Sequence, residues 1–275
     1  MNALVSTDWL AEHARAVRIV DASYYLAEHA RDAAAEFDAA HIPGAMFLDL
    51  ATLADAASSL PMTLPAPDAI TQRLAMLGIG AGEQIVLYDA SPLRSSARAW
   101  WMLRMAGIAD VTILDGGLAK WRADGRPLAS GDVSNTPTAF DACLPLCSVR
   151  TFDAMRANLV TAIEQVVDAR SPARFDGREP ESRPGVEPGH IPGARSLHYA
   201  ALFEADGTWK QGDALRAAFA DAGVDLARPV VATCGSGVTA ACLVFAAHLL
   251  GHHIALYDGS WSEWGADPAT PKARA

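Results

Sequence analysis

Residues 229–250 read PVVATCGSGVTAACLVFAAHLL, and this stretch indicates the fold most directly. Residues 229–233 form a short run without polar alternation, which is typical of a strand in a parallel sheet covered on both faces. A loop that contains Gly235 and Gly237 follows, and residues 238–250 then predict a helix with an apolar face. A strand, a loop and a helix in this order indicate the crossover of an α/β fold.

The rest of the chain shows the same alternation of short apolar runs and longer helical patterns. A second apolar helix is predicted at residues 96–105. Strands are predicted at residues 17–20, 84–88, 111–114, 165–167, 229–233 and 254–257. Because parallel strands need crossovers between them, we expect mainly parallel sheets with helices on both faces.

Sequence repetition divides the chain into two halves. The repeated motifs, in the same order in both halves, are IVDA at 19–22 with VVDA at 166–169, HIPGA at 41–45 and 190–194, and LDGG at 114–117 with YDGS at 257–260. We predict two related α/β domains at residues 1–130 and 151–275. Residues 131–150, which begin with a stretch rich in Gly, Ser, Thr, Asn and Pro, are the predicted linker.

The composition excludes several classes of protein. Half of the 275 residues are hydrophobic, and the net charge of -10 argues against the basic surface of a nucleic-acid-binding protein. No apolar run is long enough to cross a bilayer, and the N-terminus lacks the basic and apolar segments of a signal peptide. We therefore expect neither a nucleic acid nor a membrane as a partner.

The four cysteines are too few for a secreted disulfide framework, so a cytoplasmic location is predicted. Cys143 and Cys147 lie close together, but no second Cys/His pair nearby completes a zinc site, so no metal is expected. Cys242 lies within the apolar helix, where burial in the core is its expected role.

Cys234 stands beyond the carboxyl end of a predicted strand, where ligands of α/β sheets bind. Gly235 and Gly237 let the backbone curl so that successive N–H groups face one point, at the positive end of the next helix. A thiolate or a persulfide anion would be stabilised there, which makes Cys234 a candidate nucleophile. The alternative is a buried structural cysteine before a turn. Asp89 occupies the matching place in the first half, so only the second half is expected to catalyse.

Several motifs in combination resemble the two-domain rhodanese family: HIPGA twice, YDAS at 88–91, the cysteine loop, and YDGSWSEW at 257–264. The loop CGSGVT at 234–239 is similar in particular to that of 3-mercaptopyruvate sulfurtransferases. The resemblance covers nearly all residues from Asp8 to Trp264. It implies two tandem rhodanese-like domains, the first without a catalytic cysteine, and no cofactor.

The resemblance also implies a reaction. Cys234 takes sulfur from 3-mercaptopyruvate, becomes a persulfide and releases pyruvate; a thiol, cyanide or a thioredoxin-type protein then removes the outer sulfur. Arg174 and Arg183 would bind the carboxylate and carbonyl of the donor, because a guanidinium suits a carboxylate, with Arg178 as an alternative. The other substrate-binding residues would be those of the cysteine loop, namely Gly235, Gly237, Val238 and Thr239.

A proton relay is the last element that the resemblance implies. Ser236 would be linked to His41, reaching across from the first domain, and to an aspartate, with Asp32 favoured over Asp38. A structural role for His41 stays open, because His190 occupies the same place in the second half.

Three other functions compete with this one. Transfer from thiosulfate is the runner-up, although family members that favour thiosulfate have basic residues after the cysteine, where this chain has Gly235 and Ser236. A cysteine phosphatase would need an arginine at the position of Ala240, to bind phosphate oxygens. A non-enzymatic sulfur-relay module is the third alternative.

Overall fold

The computed structural model of the chain describes residues 3–131, 133, 135–139 and 145–274. They form two compact units. The N-terminal unit comprises Met1–Ala56, Leu64–Leu146 and Glu204–Trp209, and the C-terminal unit comprises Ala57–Thr63, Cys147–Phe203 and Lys210–Ala275. The predicted linker at 131–150 lies partly outside the described residues, and Cys143 lies outside them. The last three residues of the linker, 148–150, form a strand of the C-terminal unit.

The N-terminal unit contains a five-stranded sheet whose strand pairs are parallel. Its strands are β1 (Leu4–Val5), β2 (Arg18–Asp21), β3 (Met46–Phe47), β4 (Ile85–Tyr88) and β5 (Val111–Leu114). They lie in the order β1-β5-β4-β2-β3, so β4 is central. All four residues of β4 are buried, as its unbroken apolar run predicts for a strand covered on both faces.

Helices connect these strands. They are α1 (Thr7–His13), α2 (Ala33–Ala39), α3 (Leu50–Leu53), α4 (Pro67–Met76), α5 (Ser96–Met105) and α6 (Gly117–Ala123). Helix α5 has the bounds that the sequence predicts, and Trp100 and Trp101 of this helix are fully buried. Burial of two such large side chains contributes strongly to the core of the unit.

The C-terminal unit repeats this architecture with parallel strands in the order β6-β10-β9-β7-β8. Its strands are β6 (Ser148–Arg150), β7 (Gln165–Asp168), β8 (Arg195–Ser196), β9 (Val230–Thr233) and β10 (Ala255–Tyr257). Its helices are α7 (Phe152–Thr161), α8 (Pro172–Phe175), α9 (Gly212–Asp221), α10 (Ala240–Leu249) and α11 (Ser260–Trp264). The strand that precedes Cys234, β9, is therefore the central one.

Two parallel five-stranded sheets confirm the predicted α/β fold. Strand β7 continues one residue beyond the predicted apolar run, because the backbone of Asp168 stays in register with Thr233. Strand β9 begins at Val230 rather than at Pro229, which has no N–H to donate to a neighbouring strand. Within the described part of the chain, no helix is both long and apolar enough to cross a membrane.

Candidate active site

Cys234 follows the last residue of the central strand β9 and is almost completely buried. The loop 234–239 leads from this strand to α10, a ten-residue helix that begins at Ala240. The Gly237 φ of 78° lies in the left-handed region, where a residue with a Cβ is strained, so the turn requires glycine here. Ser236, Val238 and Thr239 of the same loop are also buried.

Helix α11 holds the backbone of the cysteine loop in place. The carbonyl oxygen of Cys234 accepts from the N–H of Trp261 at 2.9 Å. The carbonyl of Gly235 accepts from the N–H of Ser262 at 2.9 Å and from its hydroxyl at 2.6 Å. Because these peptide bonds are trans, the N–H groups of Gly235 and Ser236 point away from α11. The negative ends of the two peptides therefore face α11, and their positive ends face the opposite side.

Ser260 makes a second connection between α11 and the loop. Its hydroxyl donates to the Tyr257 carbonyl at 2.8 Å and accepts from the Cys234 N–H at 3.3 Å. The Ser260 φ of 52° is unusual for a residue other than glycine. Ser260 ends the repeated motif at 257–260, but the repeat alone gives no sign of its contact with Cys234.

The predicted donor-binding residue Arg174 lies beside the cysteine loop. It is in α8, and its Nη2 atom would lie 3.2 Å from a Cβ placed on Gly235. The missing side chain at position 235 therefore makes room for the guanidinium group. The side chain of Arg178, the alternative, is 64% exposed, compared with 30% for Arg174, so Arg174 is the better candidate.

Arg183 is half-buried in the loop between α8 and β8. Contacts with α11 anchor this loop: the indole N–H of Trp261 donates to the Glu187 carbonyl at 2.8 Å, and the Glu187 N–H donates to Gly265 at 3.0 Å. The same helix thus holds both the cysteine loop and the loop that carries Arg183.

Arg170 is a buried cation near Cys234 that the sequence analysis missed. Its guanidinium donates to both carboxylate oxygens of Asp168, to Glu181 and to the Gly189 carbonyl. Burial lowers the pKa of Arg170, but the charges of Asp168 and Glu181 outweigh this effect and leave the pKa raised; the charge of Cys234 contributes to the same rise. The guanidinium also lies 4.6 Å from the ring centre of Trp261, the residue whose N–H donates to the Cys234 carbonyl.

A comparison of the two halves could have identified Arg170 from the sequence. The first half has Ser23 two residues after the strand-end aspartate, where the second half has Arg170. A charge that appears at a strand end only in the half with the cysteine is a signal of function.

In the N-terminal unit, a carboxylate replaces the thiol. Asp89 follows β4 and accepts from the N–H groups of Ser91 and Ser96, both at 2.9 Å. Burial raises the pKa of Asp89, and the hydrogen bonds from Ser96 offset part of the rise. The N–H of Leu118 donates to the Asp89 carbonyl as that of Trp261 does to Cys234. A buried carboxyl group thus lies before the start of α5, at the position that Cys234 holds before α10.

His41 and His190 have the same surroundings in the two units. Each Nδ1 lies 2.7 Å from a phenylalanine carbonyl, that of Phe37 or Phe175, and each imidazole stacks on the ring of that phenylalanine. The backbone of each histidine also forms an antiparallel bridge. This equivalence supports the structural role that the sequence analysis left open for His41.

Asp32 has a structural role of its own. Its carboxylate accepts from the N–H groups of Ala34 and Ala35 and so caps α2, whereas His41 follows the other end of that helix. Among the hydrogen bonds of the described residues, none joins Asp32 to His41. The predicted relay to Ser236 stays a prediction.

Among the described residues, no group of three or more His, Cys, Asp or Glu side chains is arranged to hold a metal ion. Cys242 is buried in α10, as predicted for a core residue.

Comparisons with known proteins match both halves of the chain. The family described as rhodanese-like domain matches residues 6–124 and 151–267. The 3-mercaptopyruvate sulfurtransferase of Homo sapiens is 42% identical over 272 residues, which cover 96% of this chain and 92% of that protein. Thiosulfate/3-mercaptopyruvate sulfurtransferase 1, mitochondrial, of Arabidopsis thaliana is 37% identical over 292 residues, covering 98% of this chain and 77% of that protein.

A solved structure agrees with these relatives. The crystal structure of SseA from Escherichia coli, presented with the catalytic mechanism of 3-mercaptopyruvate sulfotransferases, superposes with a TM-score of 0.86 at 37% identity. The match covers 96% of this chain and 100% of that one.

Proposed function

The chain belongs to the rhodanese family, and from this premise we propose that it is a 3-mercaptopyruvate sulfurtransferase in which Cys234 carries the sulfur as a persulfide. The observation that carries the proposal is the placement of Cys234 between the central strand β9 and the start of α10, with Arg174 beside its loop. Relatives with this activity cover nearly the whole chain.

The first half of the reaction transfers one sulfur atom. The Cys234 thiolate attacks the sulfur of 3-mercaptopyruvate; a sulfur–sulfur bond forms and the carbon–sulfur bond breaks. The carbon retains the electron pair as the enolate of pyruvate and takes up the proton that the donor's thiol carried. Pyruvate leaves, and the enzyme holds a persulfide anion. We propose that Ser236, two residues after Cys234, takes part in this proton transfer.

The cysteine loop supports the persulfide. The N–H groups of Gly235 and Ser236 point away from α11, and α10 directs its positive end at the loop. We propose that these groups, with the backbone of Gly237, Val238 and Thr239, stabilise the outer sulfur.

Two arginines recognise the donor in this proposal. Arg174 binds the carboxylate of 3-mercaptopyruvate, and Arg183 binds its carboxylate and carbonyl from the neighbouring loop. Guanidinium groups suit this task because they present paired N–H donors in the geometry of a carboxylate.

In the second half, an acceptor attacks the outer sulfur and restores the Cys234 thiolate. Cyanide leaves as thiocyanate, and a small thiol or the thiol of a thioredoxin-type protein leaves as a persulfide. These acceptors, and action in the reducing cytoplasm, are proposals from the chemistry of the persulfide and the scarcity of cysteines.

Thiosulfate is the second candidate donor, because a relative carries both donors in its name. The neutral Gly235 and Ser236 favour 3-mercaptopyruvate, since a small dianion would gain more from basic side chains at these positions.

Mass spectrometry of the protein treated with 3-mercaptopyruvate tests the proposal. We expect a gain of one sulfur on Cys234, an equal amount of pyruvate, and loss of the sulfur when cyanide is added. Cys234→Ser should abolish all three, whereas the matched variant Cys147→Ser should retain them. Pyruvate release by Cys234→Ser would contradict the proposal, and a sulfur gained only from a partner protein would indicate the relay module instead.

A further inference from the structure

A chain of four charged side chains leads from the core of the C-terminal unit to the cysteine loop. Asp168 accepts from Arg170 at 2.6 Å, Arg170 donates to Glu181 at 2.7 Å, and the other carboxylate oxygen of Glu181 accepts from Arg174 Nη2. The side chains of Asp168, Arg170 and Glu181 are 1%, 1% and 4% exposed, whereas that of Arg174 is 30% exposed. Of these four side chains, only that of Arg174 is open to solvent.

Arg170 makes the inner part of this series of ion pairs rigid. It binds Asp168 through two donor groups, binds the Gly189 carbonyl at 2.7 Å, and lies 4.6 Å from the ring centre of Trp261. Because Arg170 is held on so many sides, the Glu181 oxygen that it binds is held as well. A buried carboxylate between two guanidinium groups is also well compensated in charge.

We propose that Glu181 is a positioning residue that fixes the guanidinium of Arg174 beside the Cys234 loop for binding of the donor's carboxylate. This inference rests on the proposed function. Glu181 occupies one edge of the guanidinium, at Nη2, and an arginine side chain has five N–H donors, so others remain for the donor molecule. The same Nη2 lies against Gly235, so the loop and Glu181 bound the guanidinium from two directions.

The physical reason is preorganisation. An arginine side chain that is loose before binding must lose its rotamer freedom when the donor arrives, and this loss weakens binding. An arginine that Glu181 already holds loses little further rotamer freedom when the donor binds. A glutamate that fixes Arg174 should therefore change the KM for 3-mercaptopyruvate more than the kcat.

Glu181→Asp is the main test variant. It keeps the negative charge, which protects folding, but is one methylene shorter and cannot reach Arg170 and Arg174 together. We expect KM for 3-mercaptopyruvate to rise by about tenfold with kcat changed by less than about threefold. Glu181→Gln, which removes the charge, should raise KM in the same direction. The thermal unfolding midpoint of each variant separates this effect from loss of folded protein.

Asp176→Asn is the matched control. It removes a carboxylate from Arg178, an exposed arginine of the same segment, and should leave both constants unchanged. Arg174→Ala completes a double-mutant cycle. If Glu181 acts through Arg174, adding Glu181→Asp to Arg174→Ala should change KM by less than about twofold. The inference would be overturned if the KM effects of the two substitutions multiply in the double variant, or if Glu181→Asp has the KM of the wild type.

An NMR measurement separates this inference from the proposed function. The side-chain Nε–H signal of Arg174, assigned by its loss in Arg174→Ala, reports the order of the guanidinium without turnover. We expect a narrow, slowly exchanging signal in the wild type and a broadened one in Glu181→Asp. An unchanged signal would refute the positioning role even if the enzyme is active. Absence of pyruvate release by the wild type would instead refute the function, and the NMR comparison would still decide the role of Glu181.

Discussion

At the scale of single residues, the absence of a side chain at position 235 matters as much as the thiol beside it. The sequence predicts that Gly235 helps the backbone to curl, and the structure adds that a Cβ there would lie 3.2 Å from Arg174 Nη2. This separation is tighter than ordinary van der Waals contact, so either the loop or the guanidinium would have to move. Because Glu181 also holds the guanidinium, the movement would disturb a constrained group.

Gly235→Ala tests this interpretation. The added methyl group should displace Arg174 by a few tenths of an ångström and raise KM for 3-mercaptopyruvate by about threefold to tenfold, because binding of the donor depends on the position of the guanidinium. Steady-state kinetics measures the change. Gly80→Ala is the control, since a Cβ there meets nothing closer than 3.7 Å. A KM unchanged in Gly235→Ala would show that Arg174 does not limit donor binding.

At the scale of elements, two helices act on the cysteine loop in different ways. Helix α10 follows the loop in sequence and directs its positive end towards it. Helix α11 is distant in sequence and fixes the loop by hydrogen bonds to the carbonyl oxygens of Cys234 and Gly235. The orientation of the loop amides therefore depends on the packing of α11 as well as on the glycines.

Ser262→Ala tests the contribution of α11. The variant loses the 2.6 Å hydrogen bond from the hydroxyl to the Gly235 carbonyl but keeps the bond from its N–H. We expect the free energy of unfolding to fall by about 1 kcal/mol and persulfide formation to slow. Denaturant titration and rapid-mixing kinetics measure the two effects. The exposed Ser148 provides the control variant, Ser148→Ala, and equal rates in both variants would contradict a role for this bond.

At the scale of the whole molecule, the two repeated units surround equivalent strand-end residues with different partners. The strand-end aspartates Asp21 and Asp168 are equivalent, but only Asp168 has an arginine partner. Burial raises the pKa of Asp21 to about 6, and hydrogen bonds with Ser23 and Tyr88 offset part of the rise. Within the described part of the N-terminal unit, no arginine pairs with Asp21, so we expect this buried acid to make the stability of the chain depend on pH.

The pH dependence of unfolding should reveal this acid. A carboxyl group with a raised pKa in the folded state stabilises the fold at low pH, and the contribution is lost as the pH rises through the folded pKa. The side chain of Asp21→Asn cannot ionise, so the variant should not lose this stability. From pH 5 to pH 8, its free energy of unfolding should therefore rise relative to that of the wild type by about 1 kcal/mol. Denaturant titrations at several pH values measure this gain.

Asp110→Asn, at an exposed position, is the control for the pH experiment and should follow the wild type. A constant difference between Asp21→Asn and the wild type across this pH range would mean that Asp21 does not titrate there.

The sequence by itself determined the α/β fold, the duplication and the place of the candidate nucleophile Cys234 after a strand. Runs such as residues 85–88 and 230–233 are short, apolar and rich in β-branched residues, which favours buried strands, and local glycines favour the turn after Cys234. These features depend on neighbours along the chain, which is why a pattern in the sequence reveals them.

Only the tertiary structure decided which polar groups meet at the cysteine loop. The contacts of Ser260 and Ser262 with the loop, and the link from Arg170 through Glu181 to Arg174, join residues that no periodicity relates. It also shows that Asp32 caps helix α2, while the proton relay that the resemblance implies for Asp32 or Asp38 stays a prediction. Hydrogen bonds and ion pairs act over a few ångströms in space, so the packing of strands and helices selects the partners.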